Sequence, residues 1–392
     1  MKNINVILNK SLQFVRAWVN YPIVRLLTLC KSLNANKYFC ISMSGNSYGD
    51  NIKYLSEYIY QQDATAEIIW AFTPSFYNKA NCPFNSVKLY SYKYYFHILT
   101  SKYILSNARL NQRMLHKRKG QVYLQTWHGT ALKRLGTDVK TRKRGWLQRV
   151  LSPNVFQFDV NNTDIMISGS KFMTNIFRNS FHFNGPIYET GTPRNDIFFE
   201  KHPEYKDRIC KRYGIDKDSQ IILYAPTFRS NGSFEYYDIT SETVIKAWEK
   251  KTSRKCVFLV RLHPNLMCRS NEFSKLFPNA INVSAYPDMQ ELLYCADLLI
   301  TDYSSSMFDF MYSYKPVLLY IPDKESYDRG FYFNIEDLPF IISYNNNEIA
   351  NNLALFDSQN YSIQIQSFLR VIGDVESGKA AEKIYHLLKS LA

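Results

Sequence analysis

From Tyr38 onward the chain alternates short apolar runs with polar or helical stretches, and this alternation leaves few folds open. YFCISM, AEIIWAF, SKYILSN, VYLQTWH and DIMISGS form one series; IILYAPT, CVFLVRLHP, ADLLITDYS and KPVLLYIP form a second, beginning after Gly191-Thr192-Pro193. Runs rich in Val, Ile and Leu, without strict polar alternation, suit strands buried on both faces, as in a parallel sheet covered by helices. The turn SGNSYGD and the helical stretch NIKYLSEYIY complete the first βα unit. Two series predict an α/β protein of two Rossmann-like, doubly wound domains, divided near residues 191–215, where Gly, Pro and charged residues cluster. A chain of 392 residues, 46% hydrophobic and 21% charged, has material for two cores. The expected division is 1–33, an N-terminal amphipathic helical segment; 34–195 and 196–365, the two domains; and 366–392, a C-terminal helix.

Charge is distributed unevenly along this frame. The net is +14, from 48 Lys and Arg against 34 Asp and Glu. Residues 1–49 hold six cations and no acid, and residues 102–149 hold thirteen cations against Asp138 alone, which leaves the remainder slightly acidic. Two such fields attract anionic membrane surfaces, nucleic acid or polyanionic substrates without discriminating among them.

Within residues 4–29, Ile4, Leu8, Leu12, Val15, Val19, Ile23 and Leu26 recur at steps of three or four with cations between them, a helical period. Such a helix could lie on an anionic leaflet, with Trp18 and Tyr21 at headgroup level, or dock on the protein body; the pattern does not separate the two. Lys10, Arg16 and Arg25 interrupt every apolar run, so neither a secretory signal nor a membrane span is expected. Seven scattered cysteines without CxxC or Cys/His metal spacing suit a reduced, cytoplasmic compartment.

Ligands of open α/β sheets bind beyond the carboxyl ends of strands, so the polar residues there are the candidates for chemistry. TWHGT, residues 126–130, places His128 at a strand end between Trp127 and Gly129, with Thr130 and a basic stretch following. RLHPN, residues 261–265, places Arg261 and His263 at a strand end of the second series. One histidine from each domain, facing an interdomain cleft, suits general acid–base work on an anionic substrate. The other histidines, His97, His116, His182, His202 and His386, lack this context. ITDYSSSMFDF supplies Thr301, Asp302, Ser304, Ser305, Ser306 and Asp309; three hydroxyls opening a helix make an anion site that needs no metal. Thr227 and Arg229 end another strand, where Arg229 could clamp a phosphate. GDVESGK has P-loop spacing, but Ala380 replaces the magnesium-binding Ser/Thr and only twelve residues follow, so it is read as a turn and cap entering the last helix. Asp216-Lys217-Asp218 is a literal DxD that precedes a strand and reads as a surface turn.

In order, QTWHGTALKRLG, GTPRNDIF, LYAPTFR, RLHPN and TDYSSSMFDFMYSYKPVLLY closely resemble the CDP-glycerol glycerophosphotransferase family of teichoic-acid and capsule synthesis, from about Tyr38 to the closing GKAAEKI. The resemblance implies a GT-B architecture and transfer of a polyol phosphate, glycerol phosphate first, from a CDP-activated donor to an acceptor hydroxyl, with release of CMP. It implies that His128 and His263 are the catalytic pair. His128 would take the proton of the attacking hydroxyl and His263 would assist the departing CMP, although the roles could be exchanged. Thr301 and the three serines would hold the donor pyrophosphate, and Arg229 and Arg261 would offset developing charge. No metal or other cofactor is expected. The expected partners are CDP-glycerol or CDP-ribitol, a lipid-linked or polymeric acceptor and an anionic membrane surface, on the inner face of the cell membrane, and not nucleic acid. Ala131 and Phe228 depart from the family pattern, where Pro and Trp are usual, and bear on the acceptor and base pockets. The cations from Lys133 to Arg149 would hold a polyanionic chain or the membrane. Two readings compete: a metal-independent GT-B sugar-nucleotide glycosyltransferase, which the paired histidine motifs disfavour, and a non-enzymatic polyanion or nucleic-acid binder, for which no module signature appears.

Overall fold

A computed structural model describes residues 19–110, 116–139, 155–229, 236–262, 275–327 and 330–391. They fall into two compact units, the first drawn from Met1–His128, Lys140–Arg194 and Val375–Ala392, the second from Gly129–Val139 and Asn195–Asp374.

The first unit is built on seven parallel strands: β1 (Asn34–Ile41), β2 (Glu67–Phe72), β3 (Asn85–Lys88), β4 (Ser101–Ser106), β5 (Val122–Gln125), β6 (Ile165–Ser168) and β7 (Ile187–Glu189). Their order is β3-β2-β1-β4-β5-β6-β7. Alternate residues feed opposite faces, as strand geometry requires. Tyr38, Cys40, Ile68, Trp70 and Phe72 enter one core cluster with Ile52, Leu55 and Ile59 of the helix Asp50–Gln62. Phe39, Ile41, Ile69 and Ala71 enter another with Tyr94, Tyr95, Ile98 and Leu99 of the helix Tyr92–Thr100.

The second unit holds β8 (Gln220–Tyr224), β9 (Cys256–Val260), β10 (Ala280–Asn282), β11 (Leu298–Thr301), β12 (Val317–Tyr320) and β13 (Ile341–Ser343). All are parallel, in the order β10-β9-β8-β11-β12-β13. Both expected doubly wound sheets are therefore present. Strand order reverses between β1 and β4 and between β8 and β11, and ligand crevices form at such reversals.

Three stretches differ from expectation. The segment 366–392 holds more than a C-terminal helix: it opens with the end of the helix Ser358–Ile372, which Gly373 terminates with a left-handed φ of 62°, and the turn expected at GDVESGK then leads into the helix Ala380–Ser390. The intervening GDVESGK forms a strap: Val375 N–H donates to Gly169 O, and the Glu376 carboxylate accepts from the Thr192 N–H and hydroxyl. The last helix then buries Ile384 and Leu388 in the core of the first unit, about 1.5–3 kcal/mol for each side chain. Second, residues 129–139 pack within the second unit, where Arg134 N–H donates to Gly330 O at 2.9 Å and Tyr332 N–H to Leu132 O at 2.8 Å. Third, a helix over 19–28 docks on the first unit through Tyr21, Val24 and Thr28, all buried. Tyr21 therefore lies in a protein core and not at headgroup level. Val19, Ile23 and Leu26, the expected stripe, point outward with Leu27 and Leu29; the earlier members of the stripe and Trp18 lie outside the described residues. Among the described residues no helix is long and apolar enough to cross a membrane. Asp216-Lys217-Asp218 is a surface turn closed by Ser219 N–H to Asp216 O, 3.0 Å.

Candidate functional site

His128 follows β5 at the carboxyl edge of the first sheet. Its position rests on an unusual backbone, since Trp127 has φ 54° and Gly129 φ 123°. The second value is one that residues with a side chain rarely adopt. The imidazole is half-buried, stacks on Trp127 with ring centroids 4.4 Å apart, and sets Nδ1 2.8 Å from Asn107 O at the end of β4. A carbonyl only accepts, so Nδ1 carries the proton and Nε2 is the atom able to receive another. Burial lowers the His128 pKa below its ordinary 6.5; the Asn107 bond and the Asp50 carboxylate oppose that fall, while Arg194 and Arg109 add to it. The ring is neutral at neutral pH, the state of a base.

Around it lies a frame that motif reading passed over. Arg194 Nη1 donates to Asp50 Oδ2 at 2.8 Å and to His128 O at 2.9 Å. The Arg194 N–H donates to Asn51 Oδ1 at 3.1 Å, and Asn51 Nδ2 donates to Trp127 O at 3.1 Å. Asn107 joins through Oδ1, which accepts from Met43 N at 2.8 Å, and Nδ2, which donates to Ser42 Oγ. Burial alone would raise the Asp50 carboxyl, but Arg194, the Asn51 N–H, His128 and Asn107 hold it below its ordinary value. Asp50 itself has φ 61°. Left-handed non-glycine residues cost free energy and concentrate where structure serves function. The sequence signal was available: Asp50 is the first acid of the chain and opens the helix that follows β1, and Arg194 sits within GTPRNDIF.

In the second unit the ends of β8 and β11 are joined by Arg229. Its guanidinium donates to Asp302 Oδ2 at 2.8 Å, to Asp323 Oδ2 at 2.7 Å and to Thr227 Oγ1 at 2.7 Å. These carboxylates overcome desolvation and raise the Arg229 pKa further. Asp302 also accepts from the Thr227 and Tyr303 N–H groups, and Tyr303 OH donates to Asp323. Arg229, Asp302 and Asp309 are buried, and Thr301, wholly buried, donates its hydroxyl to Ala225 O at 2.7 Å. These four lie behind the surface rather than on it. Ser304 and Ser305 are half-buried; Ser306 is buried and gives both its N–H and its hydroxyl to Ser304 Oγ. The helix they open, Ser306–Phe310, has five residues, so hydroxyls and N–H groups, more than a long helix dipole, make this corner suited to an anion.

The other candidates are placed as follows. Trp127, Gly129, Thr130 and Thr227 are half-buried at their strand ends. Arg261 follows β9, donates to Tyr286 O at 2.7 Å, and has its pKa lowered by burial. His263 lies outside the described residues, as do residues 140–149 of the basic stretch.

Two Rossmann-like sheets, each with a polar network at its strand-order reversal, define an α/β protein with a candidate ligand site in each unit. A family model described as CDP-glycerol:poly(glycerophosphate) glycerophosphotransferase matches residues 23–390, and the chain belongs to that family. It is 31% identical over 370 residues to a teichoic acid glycerol-phosphate transferase of Staphylococcus aureus, covering 91% of this chain and 93% of that protein. It is 33% identical over 358 residues to a teichoic acid poly(glycerol phosphate) polymerase of Staphylococcus epidermidis, covering 88% of this chain and 49% of that protein, so it spans about half the length of that relative. A solved structure of the wall teichoic acid polymerase TagF superposes with a TM-score of 0.82 at 30% identity, covering 98% of each chain.

Proposed function

We propose that this chain transfers glycerol phosphate from CDP-glycerol to a hydroxyl of a teichoic-acid-like acceptor and releases CMP. The observation that carries the reading is His128: a neutral imidazole at the end of β5 whose Nδ1 is held by Asn107 O, with Nε2 left to accept a proton. The acceptor oxygen bonds to the phosphorus of the polyol phosphate as the bond from that phosphorus to the CMP oxygen breaks. The acceptor proton passes to His128 Nε2, and His263 steadies or protonates the departing CMP. Ser304 and Ser305 hold the donor phosphates, backed by Ser306, Thr301, Asp302, Asp309, Thr227 and Arg229, with Arg261 supplying positive charge; Trp127, Gly129 and Thr130 shape the surroundings of the base. In-line displacement of this kind depends on positioning and electrostatics, and the reading includes no metal cofactor.

The outward face of the helix over 19–28, with Val19, Ile23, Leu26 and Leu27 exposed and followed by exposed Leu29 and Lys31, supports a further part of the reading: peripheral association with an anionic membrane on its cytoplasmic side. Apolar area together with cations is what such a surface recognises.

The test is a donor panel of CDP-glycerol, CDP-ribitol and UDP-sugars with a glycerol-phosphate acceptor, run with and without EDTA and read by CMP release and product mass. A product heavier by one glycerol phosphate, unaffected by EDTA and reduced about 100-fold or more in His128→Ala, is expected. UDP-sugar turnover, or salt-sensitive nucleic-acid binding without turnover, overturns the reading.

A further inference from the structure

The assignment of His128 as the base leaves Asp50 and Arg194 without a task, yet both are built into its surroundings. Each is mostly buried, with side-chain exposures of 17% and 6%. Two charges removed from water are a poor device for stability alone, since apolar side chains of similar size hold a fold as well. What the pair does that apolar residues could not is visible in its contacts. The Arg194 guanidinium bridges the Asp50 carboxylate and the His128 carbonyl. The neighbouring carbonyl, of Trp127, is taken by Asn51, whose own Oδ1 accepts from Arg194 N–H. The left-handed turn that presents the imidazole is thus held at two successive carbonyls. Four groups bear on the ring: Asn107 O and Asp50, which favour its protonation, and Arg194 and Arg109, which oppose it. Asp50 is thus the carboxylate that opposes the two guanidinium groups acting on the imidazole.

We propose that Asp50 and Arg194 are a positioning pair for His128, Arg194 fixing the backbone that carries the ring and Asp50 offsetting the Arg194 charge while stabilising the imidazolium. This rests on His128 accepting the proton, and the experiment separates the two claims. The His128 imidazole is titrated by NMR in the full chain, its signals assigned by their loss in His128→Gln, beside the pH profile of kcat/KM. In Asp50→Asn the His128 pKa falls by about one unit, as loss of a nearby opposite charge requires, and kcat drops about tenfold or more. In Arg194→Gln the pKa rises while kcat also drops, because the carbonyl clamp is gone. In the double variant the pKa returns close to its starting value and kcat stays low, which a purely structural pair would not produce. KM for the donor changes less than about twofold throughout.

Should Asp50→Asn fail to fold, Arg194→Lys serves: the charge remains and the fork is lost, so the pKa holds and kcat falls about tenfold. An unmoved His128 titration in folded Asp50→Asn and Arg194→Gln overturns the pairing. A moved titration with an unmoved turnover profile overturns His128 as the base and leaves the coupling standing.

Discussion

The two strand-order reversals solve the same problem with different stoichiometry. In the first unit one arginine meets one carboxylate, Arg194 with Asp50, and the guanidinium has a second duty to the carbonyl of His128. In the second, Arg229 meets two carboxylates, Asp302 and Asp323, and its guanidinium also lies over Tyr303 and Tyr327, at 5.1 and 5.5 Å from the ring centroids. The first arrangement surrounds a half-buried imidazole whose pKa burial lowers and whose Nδ1 is held by the Asn107 carbonyl. The second locks the end of β8, the end of β11 and the segment after β12 into one buried cluster, with the half-buried hydroxyls of Ser304 and Ser305 following it in sequence. Under the proposed function this contrast is a division of labour: proton transfer at the first reversal, and rigid binding of a charged ligand at the second.

The largest expected effect breaks the second arrangement. Arg229→Met leaves Asp302 and Asp323 buried without their common partner, which should cost about 3–5 kcal/mol. Urea unfolding followed by the fluorescence of Trp248, a core residue of that unit, measures it. A loss below about 1 kcal/mol would show that the cluster is no more than an ordinary surface pair.

A smaller effect sharpens the contrast through a buried carboxyl of the first unit. Asp159 accepts from Leu110 N–H at 3.1 Å and from Tyr123 OH, and burial raises its pKa from 3.8 to about 6. The folded state therefore keeps this proton after the unfolded state has lost it. The stabilisation is fully present below about pH 4 and is lost as pH rises to about 6, by roughly 3 kcal/mol at most. Asp50, held below its ordinary value, acts in the opposite sense at lower pH. Unfolding of the first unit at pH 4, 5 and 6 should show the decline, and Asp159→Asn, which can still accept from Leu110 N–H, should flatten it. A pH-independent wild type would remove Asp159 from the account.

What the sequence disclosed follows the same physical lines. Central strands such as β8 and β11 are buried on both faces and declare themselves as apolar runs. The four strands at the sheet edges, β3 (NSVK), β7 (IYE), β10 (AIN) and β13 (IIS), have three or four residues and partly exposed side chains, so no run marks them. His128 was legible because tryptophan, histidine and glycine at a strand end form a local signal. Asp50 and Arg194 stand 144 positions apart and become partners only through the order of the strands. The helix over 19–28 shows a third kind of limit. Periodicity identified the helix, but Val19, Ile23 and Leu26 face outward while Tyr21 and Val24 face the core; a pattern yields a period without saying which stripe the rest of the chain will cover.

The smallest effect tests the division of labour directly. Ser304 Oγ already accepts from Ser306 N–H at 3.3 Å and from its hydroxyl at 2.9 Å, so its own proton is available to a ligand. A group that grips donor phosphate equally in the ground and transition states raises KM when removed and leaves kcat nearly unchanged. Ser304→Ala should therefore raise KM for CDP-glycerol about tenfold, the loss of about 1.4 kcal/mol expected for one hydrogen bond to a charged group, with kcat within about twofold. If Ser304 serves only the helix start, the variant should instead lose about 1 kcal/mol of stability at unchanged KM. A fall in kcat with KM constant would be the more damaging result, because it would place transition-state chemistry at the second reversal and dissolve the distinction between a unit that moves the proton and a unit that holds the donor.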